Sequence, residues 1–248
     1  MKKYYYLLLV LLITISCTKD GAKTSSDYSS GGGKGGSLAR FAIAGNYLYV
    51  VNHSNLQVYD ITDADKPINK ATKSLGWDIE TIFAYDQKLF IGSSSAMFIF
   101  DITDPASPKQ ESRVQHFRSC DPVVTQGTIA FVTLRGGSTC GGAANALMVY
   151  DVKDTKNPVL KTQLPLTRPY GLGIQDSALY VCDAEKGLAV FNIKNPEQPK
   201  LLKYIEDGDT YYDVIPYHGV LIAYVKNGVR FFDINKPQEP VSLSALMN

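Results

Sequence analysis

The 248-residue chain has little of what would indicate a familiar chemistry. It carries 25 basic and 24 acidic side chains, so its charge indicates no polyanionic partner, and no basic stripe favours nucleic acid. Its three histidines are dispersed and its four cysteines form no CxxC, so we predict no metal site. The glycine-rich residues 31–36 lack the flanking strand and helix of a phosphate-binding loop. We therefore predict no cofactor.

Helical signals and long apolar runs are also scarce. The longest apolar run, Leu7–Ile15, is too short to span a bilayer comfortably. No later segment shows a sustained helical period. Four methionines stand against sixteen tyrosines and ten phenylalanines, a composition that favours strands. We predict an all-β fold.

The N-terminus has the pattern of an export signal. Lys2 and Lys3 precede the apolar run, which ends in "TISC" with Cys17 as its last residue. This resembles the lipobox of bacterial lipoproteins, in which the cysteine is acylated, although Thr14 stands where leucine is usual. Residues 1–16 are then a lipoprotein signal peptide and Cys17 is the lipidation site. The alternative is an ordinary signal peptide with an incidental cysteine.

The segment after Cys17 is typical of a tether. Residues 17–37 are polar and rich in glycine and serine, so they cannot pack into a core. Lys19 and Asp20 resemble the charged export signal of some surface-exposed Gram-negative lipoproteins. Thr18 is not the aspartate associated with inner-membrane retention. We expect a protein anchored in the cell envelope at the outer membrane. The sequence leaves open whether it faces the periplasm or the cell surface.

A phrase of the form "FIFDITDPASP" returns five times in residues 38–248. Its anchors are separated by 41, 50, 41 and 41 residues, and a proline follows each anchor seven positions later. A fixed period near forty with strand-like units indicates a solenoid, an array or a propeller. The anchors are Asp60, Asp101, Asp151, Asn192 and Asp233, and the prolines are Pro67, Pro108, Pro158, Pro199 and Pro240.

Each repeat contains four short strands separated by tight turns. The fifth repeat shows them as "YYDVIPY", "VLIAYV", "VRFFDI" and "PVSLSAL". A four-stranded meander alone buries too little apolar surface, whereas five arranged in a ring cover one another's faces. We predict a five-bladed β-propeller of four-stranded antiparallel blades whose ring closes between the last blade and the first.

The repeated acids have a structural explanation. An Asp or Asn at the end of a strand can accept backbone N–H bonds in the turn that follows. Proline lacks a donor and suits the start of an outer strand. Asn192 keeps the acceptor and drops the charge, which a turn tolerates and acid–base chemistry would not. We predict that these residues are not catalytic.

The phrase "LYVCDAEKGLAVFNIKNPEQP" is similar to the LVIVD-repeat family of secreted or lipid-anchored bacterial propellers. The resemblance covers residues 38–248, and the third repeat, with "CDPVVTQGTIAFVTLRGGSTCGGAANALMVYD", looks like a subgroup of that family. It implies the propeller fold and an envelope location, and it implies no reaction.

The 50-residue interval contains nine extra residues, which fall in "LRGGSTCGGAANA". Insertions on a repeat scaffold often lie on the binding face. Cys120 precedes the first strand of the same repeat and Cys140 lies in the insertion, so both belong to one face. Exported proteins form disulfides, and we predict a Cys120–Cys140 bond. Cys182 is then a buried free thiol or a competitor for Cys140.

That face also collects the segments that lead into the first strand of each blade. These segments contain aromatic, basic and acidic side chains suited to a glycan, a peptide or another protein. An alternative is that they pack on one another, with Trp77 plugging the ring. The candidate ligand-binding residues are Trp77, Asp78, Phe117, Arg118, Asp121, Arg168, Tyr170, Tyr211, Tyr212 and Asp213, with His116 beside them.

Three functions remain open from the sequence. The first is a binding or scaffold module without catalysis, which we favour, with a protein or glycan ligand and a monomeric chain. The second is a glycoside-active enzyme that uses carboxylates around the axis, with Glu80, Asp121 and Asp213 as candidates. Its loops are short and give little wall to exclude water. The third is a structural subunit of an envelope complex.

Overall fold

The computed structural model describes residues 36–115, 122–137 and 144–248. All regular structure in these ranges consists of β-strands. Within the same ranges no helix has the length and apolarity needed to cross a membrane. The prediction of an all-β chain is confirmed.

Each repeat forms one four-stranded antiparallel sheet, which we call a blade, with its strands side by side in chain order. Blade 1 contains β1 (Phe41–Ala44), β2 (Tyr47–Val51), β3 (Asn55–Asp60) and β4 (Ile68–Ser74). Blade 2 contains β5 (Ile79–Tyr85), β6 (Lys88–Ser93), β7 (Ala96–Asp101) and β8 (Lys109–Gln115). Blade 3 contains β9 (Val123–Gln126), β10 (Ile129–Leu134), β11 (Ala146–Asp151) and β12 (Val159–Pro165).

Blade 4 contains β13 (Leu172–Gln175), β14 (Ala178–Cys182), β15 (Leu188–Asn192) and β16 (Lys200–Ile205). Blade 5 contains β17 (Tyr211–Tyr217), β18 (Val220–Val225), β19 (Gly228–Asp233) and β20 (Val241–Met247). The first strands β1, β5, β9, β13 and β17 are innermost and pack on one another in that order. The chain is a five-bladed β-propeller, as the repeat predicted.

The repeated Asp or Asn closes the turn after the third strand in every blade. Its side-chain oxygen accepts a hydrogen bond from the backbone N–H two residues later, which is the predicted role. The repeated proline stands immediately before the outer strand. The donor–acceptor pairs are Thr62–Asp60 at 3.0 Å, Thr103–Asp101 at 2.8 Å, Lys153–Asp151 at 2.9 Å, Lys194–Asn192 at 2.9 Å and Asn235–Asp233 at 2.8 Å.

Four apolar clusters lie between consecutive blades: 1 and 2, 2 and 3, 3 and 4, and 4 and 5. They form because side chains alternate between the two faces of a strand, so each blade has one set directed to the preceding blade and another to the next. Tyrosine hydroxyls reinforce two of these interfaces. Tyr49 donates to the carbonyl of Pro105 at 3.0 Å, and Tyr180 donates to that of Pro237 at 2.6 Å.

The interface between blades 5 and 1 differs from the other four. No buried apolar cluster joins these two blades, both of which are fully described, and β1 and β17 make little contact. Phe41 is 59% exposed and Tyr224 is 55% exposed. We call this interface the seam. The expectation that blades 5 and 1 pack together like the other pairs is wrong in this respect.

Candidate functional site

The loop face is the end of the propeller at which each first strand begins and each second strand meets the third. Antiparallel order places these connections at the same end of a blade. It contains the lead-in segments 75–78, 166–171 and 206–210, and the connections 52–54, 94–95, 183–187 and 226–227. Residues 36–40 lead into β1 at the same end. Side chains from different blades can therefore meet here.

One repeat position carries an acidic or aromatic side chain in three blades. Glu80, Tyr170 and Tyr212 occupy equivalent places at the start of blades 2, 4 and 5, as the pairing of their neighbours with the second strands shows. At Glu80 and at Tyr212 the register shifts by one residue, which is a β-bulge. Bulges re-aim a side chain and are common beside binding sites.

Tyr170 lies at the centre of the aromatic contacts on this face. The guanidinium carbon of Arg135 is 4.0 Å from the centre of the Tyr170 ring, which is a cation–π contact. The ring of Tyr212 meets that of Tyr170 edge-on at 5.2 Å. Tyr212 in turn lies 5.6 Å from Tyr224. Residues of blades 3, 4 and 5 are thus brought together.

Glu80 extends the cluster toward blades 1 and 2. Burial raises the pKa of Glu80 above its usual value, while the positive charges of Arg135 and Arg40 act in the opposite direction. The charges of both arginines therefore act on this carboxyl group. We call Arg40, Glu80, Arg135, Tyr170 and Tyr212 the axial cluster. Every blade or its lead-in segment contributes one member.

Trp77 and Asp78 stand beside the axial cluster, in the segment that leads into β5. The side chain of Trp77 is 84% exposed, so it does not plug the ring. Asp78 has a positive φ of 59° and accepts a hydrogen bond from the Ser94 hydroxyl at 3.2 Å. This bond fixes the turn that presents Trp77 to solvent. A large exposed aromatic side chain next to charged groups is typical of a recognition surface.

Two other predicted site residues have structural roles. Tyr211 is fully buried, and its hydroxyl donates to Asp207 at 2.7 Å. Arg168 pairs through its guanidinium with the exposed Glu185 at 3.1 Å, and its backbone N–H donates to the fully buried Asp183 at 2.6 Å. Arg168 also lies 5.8 Å from the Tyr170 ring centre, at the margin of a cation–π contact.

Asp213 is bound by the protein's own chain. Its carboxylate accepts hydrogen bonds from the Ser37 hydroxyl at 3.2 Å, the Leu38 N–H at 3.4 Å and the Val214 N–H at 3.0 Å. The Ser37 hydroxyl also accepts from the Leu172 N–H at 2.7 Å. We call residues 36–38 and Asp213 the clasp. It joins the lead-in of blade 1 to blades 4 and 5.

The clasp is tightly packed. A Cβ atom added to Gly36 or Gly171 would lie 2.1 Å or 2.0 Å from a carboxylate oxygen of Asp213, so only glycine fits at either position. Burial raises the pKa of Asp213 to about 6, against the lowering effect of the hydrogen bonds. A ligand would have to displace segment 36–38 before it reached this carboxylate.

Several predicted residues lie outside the described ranges. They are Cys17, His116, Phe117, Arg118, Cys120, Asp121 and Cys140, so lipidation, the disulfide and the third blade's lead-in stay predictions. Cys182 is described and is a buried free thiol whose pKa is raised by burial and by the charges of Asp213 and Asp183. The described ranges contain no group of three or more His, Cys, Asp or Glu side chains able to hold a metal.

Arg40 and Arg135 are site residues that the sequence did not predict. Arg135 follows β10 and lies in the segment that contains the nine extra residues, which the sequence placed on the binding face without singling out this side chain. The equivalence of Glu80, Tyr170 and Tyr212 was available from the repeat, since each stands at a similar distance before its anchor. Asp121 holds the same place in blade 3, outside the described ranges.

A groove of about 350 Å³ lies where β8 of blade 2 meets blade 3. It opens near the rim rather than at the axis. The groove is lined mainly by apolar side chains of β10, β11 and β12, among them Leu134, Met148, Tyr150 and Leu160, with Gln115 and Gln163 at its edges. It adds a second concave surface near the insertion.

The family model of the LVIVD repeat matches residues 35–72, which are the lead-in and blade 1. The match covers the first anchor and its proline, and the other four repeats have the same strands and the same turn. A search of curated protein sequences gives no match to the chain.

Solved structures with the same fold include a functionally unknown protein from Desulfotomaculum acetoxidans, with a TM-score of 0.71 and 11% identity over 84% of this chain and 69% of that one. The periplasmic gluconolactonase PpgL of Pseudomonas aeruginosa gives 0.66 and 14%, over 82% and 68%. BamB from Moraxella catarrhalis gives 0.58 and 14%, over 77% and 55%. The chain thus spans from about half to two thirds of these structures, and the likeness concerns the fold.

Proposed function

We propose that this five-bladed LVIVD-repeat propeller is a binding module of the bacterial cell envelope, held by a lipid on Cys17, which recognises a protein or a glycan through its loop face. The observation that carries the proposal is the contact of Tyr170 with Arg135 and Tyr212, which gathers three blades around one aromatic ring. Tyr170 is presented rigidly because blade 4 packs on both blade 3 and blade 5. A rigid aromatic and basic surface binds at a low cost in side-chain entropy.

The exposed indole of Trp77 supplies the contact surface. It is the one tryptophan of the chain, it stands clear of its own protein, and the Asp78–Ser94 hydrogen bond holds its segment. Tryptophan, tyrosine and arginine are the residues that most often dominate binding energy at interfaces. Glu80, whose carboxyl group is influenced by the charges of Arg40 and Arg135, adds a group that can accept hydrogen bonds from a ligand.

We favour binding over hydrolysis because of the clasp. A glycosidase of the usual kind needs two carboxyl groups about 5–10 Å apart that both reach the substrate. Of the described candidates, the Asp213 carboxylate is bonded to Ser37 and Leu38, so it does not reach a substrate together with Glu80. The gluconolactonase shares the fold at 14% identity, and a likeness at that level supports no reaction for this chain.

The proposal is tested by capture from detergent-solubilised envelope extract. The double variant Trp77→Ala/Arg135→Ala is expected to retain less than a tenth of the partner captured by the parent chain. The matched control is Ile68→Ala/Lys203→Ala, two exposed residues of outer strands, which is expected to capture as the parent does. Equal capture by both double variants would remove the loop face as the site.

A second measurement covers a glycan ligand. Soluble oligosaccharides released from the bacterial envelope are titrated against the parent chain while Trp77 fluorescence is followed. Binding over the indole is expected to shift the emission to shorter wavelength and to protect it from acrylamide quenching. Arg135→Ala is expected to weaken the titration at least fivefold. If neither the capture nor the titration depends on Arg135, the axial cluster is not the binding site.

A further inference from the structure

The four packed interfaces between blades use the same repeat positions. One position at the start of the first strand is occupied by Ile82, Val123, Leu172 and Val214, and each is at most 1% exposed because it packs on the preceding blade. In blade 1 the same position is Phe41, which is 59% exposed. The residue is as apolar as its equivalents. What blade 1 lacks is a preceding blade against it.

Blade 5 has incompletely buried residues on the face that, in the other blades, packs on the following blade. Tyr49, Phe90, Phe131 and Tyr180 stand at one position of the second strand, face the following blade and are at most 2% exposed. The equivalent residue in blade 5 is Ile222, which is partly exposed. Phe231, which pairs with Ile222 across the two strands, is also partly exposed, whereas its four equivalents are fully buried.

The seam therefore has two apolar walls, one on blade 1 and one on blade 5, with the same kind of residues as the packed interfaces between the other blades. The wall on blade 1 is the face that in the other blades packs on the preceding blade. The wall on blade 5 is the face that in the other blades packs on the following blade. Together they repeat the two sides of the four interfaces that the protein already forms. Contiguous exposed apolar surface of this kind is typical of an interaction site. The clasp spans the axial end of the seam. Away from it, Phe41 and Tyr224 are more than half exposed.

We propose that the seam binds a further blade: a four-stranded antiparallel sheet, apolar on both faces, presented by another polypeptide. A single sheet of this kind meets both walls with the contacts of the internal interfaces. The chain also covers 69% and 68% of the length of two longer chains of the same fold.

Other occupants fit the seam less well. A second copy of the chain that continued the ring with its blade 1 would bring its own blade 2 toward the space held by blade 1 of the first copy. Residues 18–35 are polar and rich in glycine and serine, so they cannot cover two apolar walls. Direct contact of blades 5 and 1 would require the two blades to move toward each other. It is the main competing outcome of the test.

The test supplies a known blade. Residues 75–115, which form blade 2 with its lead-in and contain no cysteine, are copied and used in two ways. The copy is joined after Asn248 by a short glycine–serine link, and it is also fused to a soluble carrier protein and mixed with the five-bladed chain. A matched copy carries Leu89→Lys and Ile99→Glu, one charge on each face.

The joined copy is expected to raise Tm by at least about 5 °C and to reduce the fluorescence of bound anilinonaphthalene sulfonate several-fold, whereas the charged copy changes neither. The carrier-borne copy is expected to bind the five-bladed chain at least tenfold more tightly than its charged counterpart. Binding in either form supports the proposal. The proposal is overturned if the joined copy changes neither Tm nor dye fluorescence and the carrier-borne copy does not bind. None of these outcomes depends on the axial cluster.

Single substitutions on the wall separate an open seam from a closed one. Phe41→Lys is expected to leave the Tm of the five-bladed chain within about 2 °C and to abolish the gain from the joined copy. Ile82→Lys, at the equivalent buried position, is expected to unfold the chain. If Phe41→Lys destabilises the five-bladed chain as strongly as Ile82→Lys does, blades 5 and 1 close on each other and the proposal fails.

Discussion

The hydroxyl of Ser37 donates a hydrogen bond to the carboxylate of Asp213 across 176 positions of sequence, and this contact ties the lead-in of blade 1 to the innermost strand of blade 5. Because the same hydroxyl accepts from Leu172, three parts of the ring meet at one side chain. The clasp therefore limits how far the two sides of the seam can separate at the axis. It also makes stability depend on the charge of one carboxyl group.

We predict a pH dependence that belongs to Asp213. Its folded-state pKa of about 6 is above the usual 3.8, so the folded state prefers the protonated form. Stability contributed by this group is therefore greatest below about pH 4 and is lost as pH rises through about 6, by on the order of 1–3 kcal/mol. Asp213→Asn removes the charge and is expected to be more stable than the parent at pH 8 and similar to it at pH 4.

Urea unfolding of the parent and of Asp213→Asn at several pH values between 4 and 8 measures this effect. Other groups titrate in the same range, so the relevant quantity is the difference in unfolding free energy between the two proteins. That difference is expected to grow from pH 4 to pH 7 and then to level off. A constant difference would show that Asp213 is not desolvated in solution.

We predict that Asp101 stabilises blade 2 through two separate contacts. Its carboxylate accepts from Lys88 at 2.6 Å and from the Thr103 N–H at 2.8 Å, and these bonds lower the pKa of Asp101 to about 2. This stability is present above the usual pKa near 3.8 and is lost as pH falls through about 2. Asp101→Ala is expected to cost about 1–2 kcal/mol, and Asp101→Asn, which keeps the turn bond, less than about 1 kcal/mol.

Asn192 gives the control for Asp101, because it occupies the same position in blade 4 without a charge. Asn192→Asp is expected to be within about 0.5 kcal/mol of the parent. Denaturant unfolding at pH 7 ranks the three variants. Equal losses for Asp101→Asn and Asp101→Ala would assign the whole effect to the ion pair with Lys88.

The tyrosine hydroxyls between blades offer a third prediction. Tyr180 is fully buried and donates to the carbonyl of Pro237 at 2.6 Å, so Tyr180→Phe leaves that carbonyl without this donor. The expected loss is about 1–2 kcal/mol of unfolding free energy. Tyr224→Phe, in an exposed ring of blade 5, is expected to change it by less than about 0.5 kcal/mol. Thermal unfolding of both variants makes the comparison, and similar losses would contradict the assigned role of the Tyr180 bond.

A fourth prediction concerns the lipid on Cys17. Cys17→Ser is expected to shift the protein from the membrane fraction to the soluble fraction, since the acyl chains proposed on Cys17 would supply the membrane affinity. Fractionation with immunodetection measures the shift, and metabolic labelling with a palmitate analogue tests acylation directly. Retention of Cys17→Ser in the membrane fraction would show that another part of the protein anchors it.

Thiol mapping gives the fifth prediction. Cys182 is buried with a raised pKa, so it is expected to resist alkylation in the folded protein and to react after denaturation. If Cys120 and Cys140 form the predicted disulfide, they react only after reduction. Mass spectrometry of peptides from the unreduced protein distinguishes this pairing from one that includes Cys182.

The sequence predicted the strands of this fold closely because the signal is local and repeated five times. The phrase "YYDVIPY" coincides with β17 (Tyr211–Tyr217) and "KQESRVQ" with β8 (Lys109–Gln115). The turn at Asp60 and its four equivalents could be inferred because an Asx turn involves only neighbouring residues. A five-bladed count followed from the spacing alone.

What the sequence did not show depends on contacts between distant residues. Asp213 was predicted as a ligand-binding residue, and its bond to Ser37, at the other end of the domain in the segment predicted as a tether, could not be inferred. The seam was also unexpected, because Phe41 and Ile222 are as apolar as their buried equivalents. Whether the ring closes depends on the angle between blades, which no local pattern encodes.

The seam changes how stability is distributed among the blades. In a sealed ring each blade has two stabilising neighbours, and no blade can loosen without breaking two couplings. Here the blades form a line, in which blades 1 and 5 have one neighbour each and blades 2, 3 and 4 have two. In such a nearest-neighbour array the ends fray first. We therefore expect amide hydrogens of blades 1 and 5 to exchange with solvent faster than those of blade 3. The clasp limits this difference, because it holds both terminal blades at the axis.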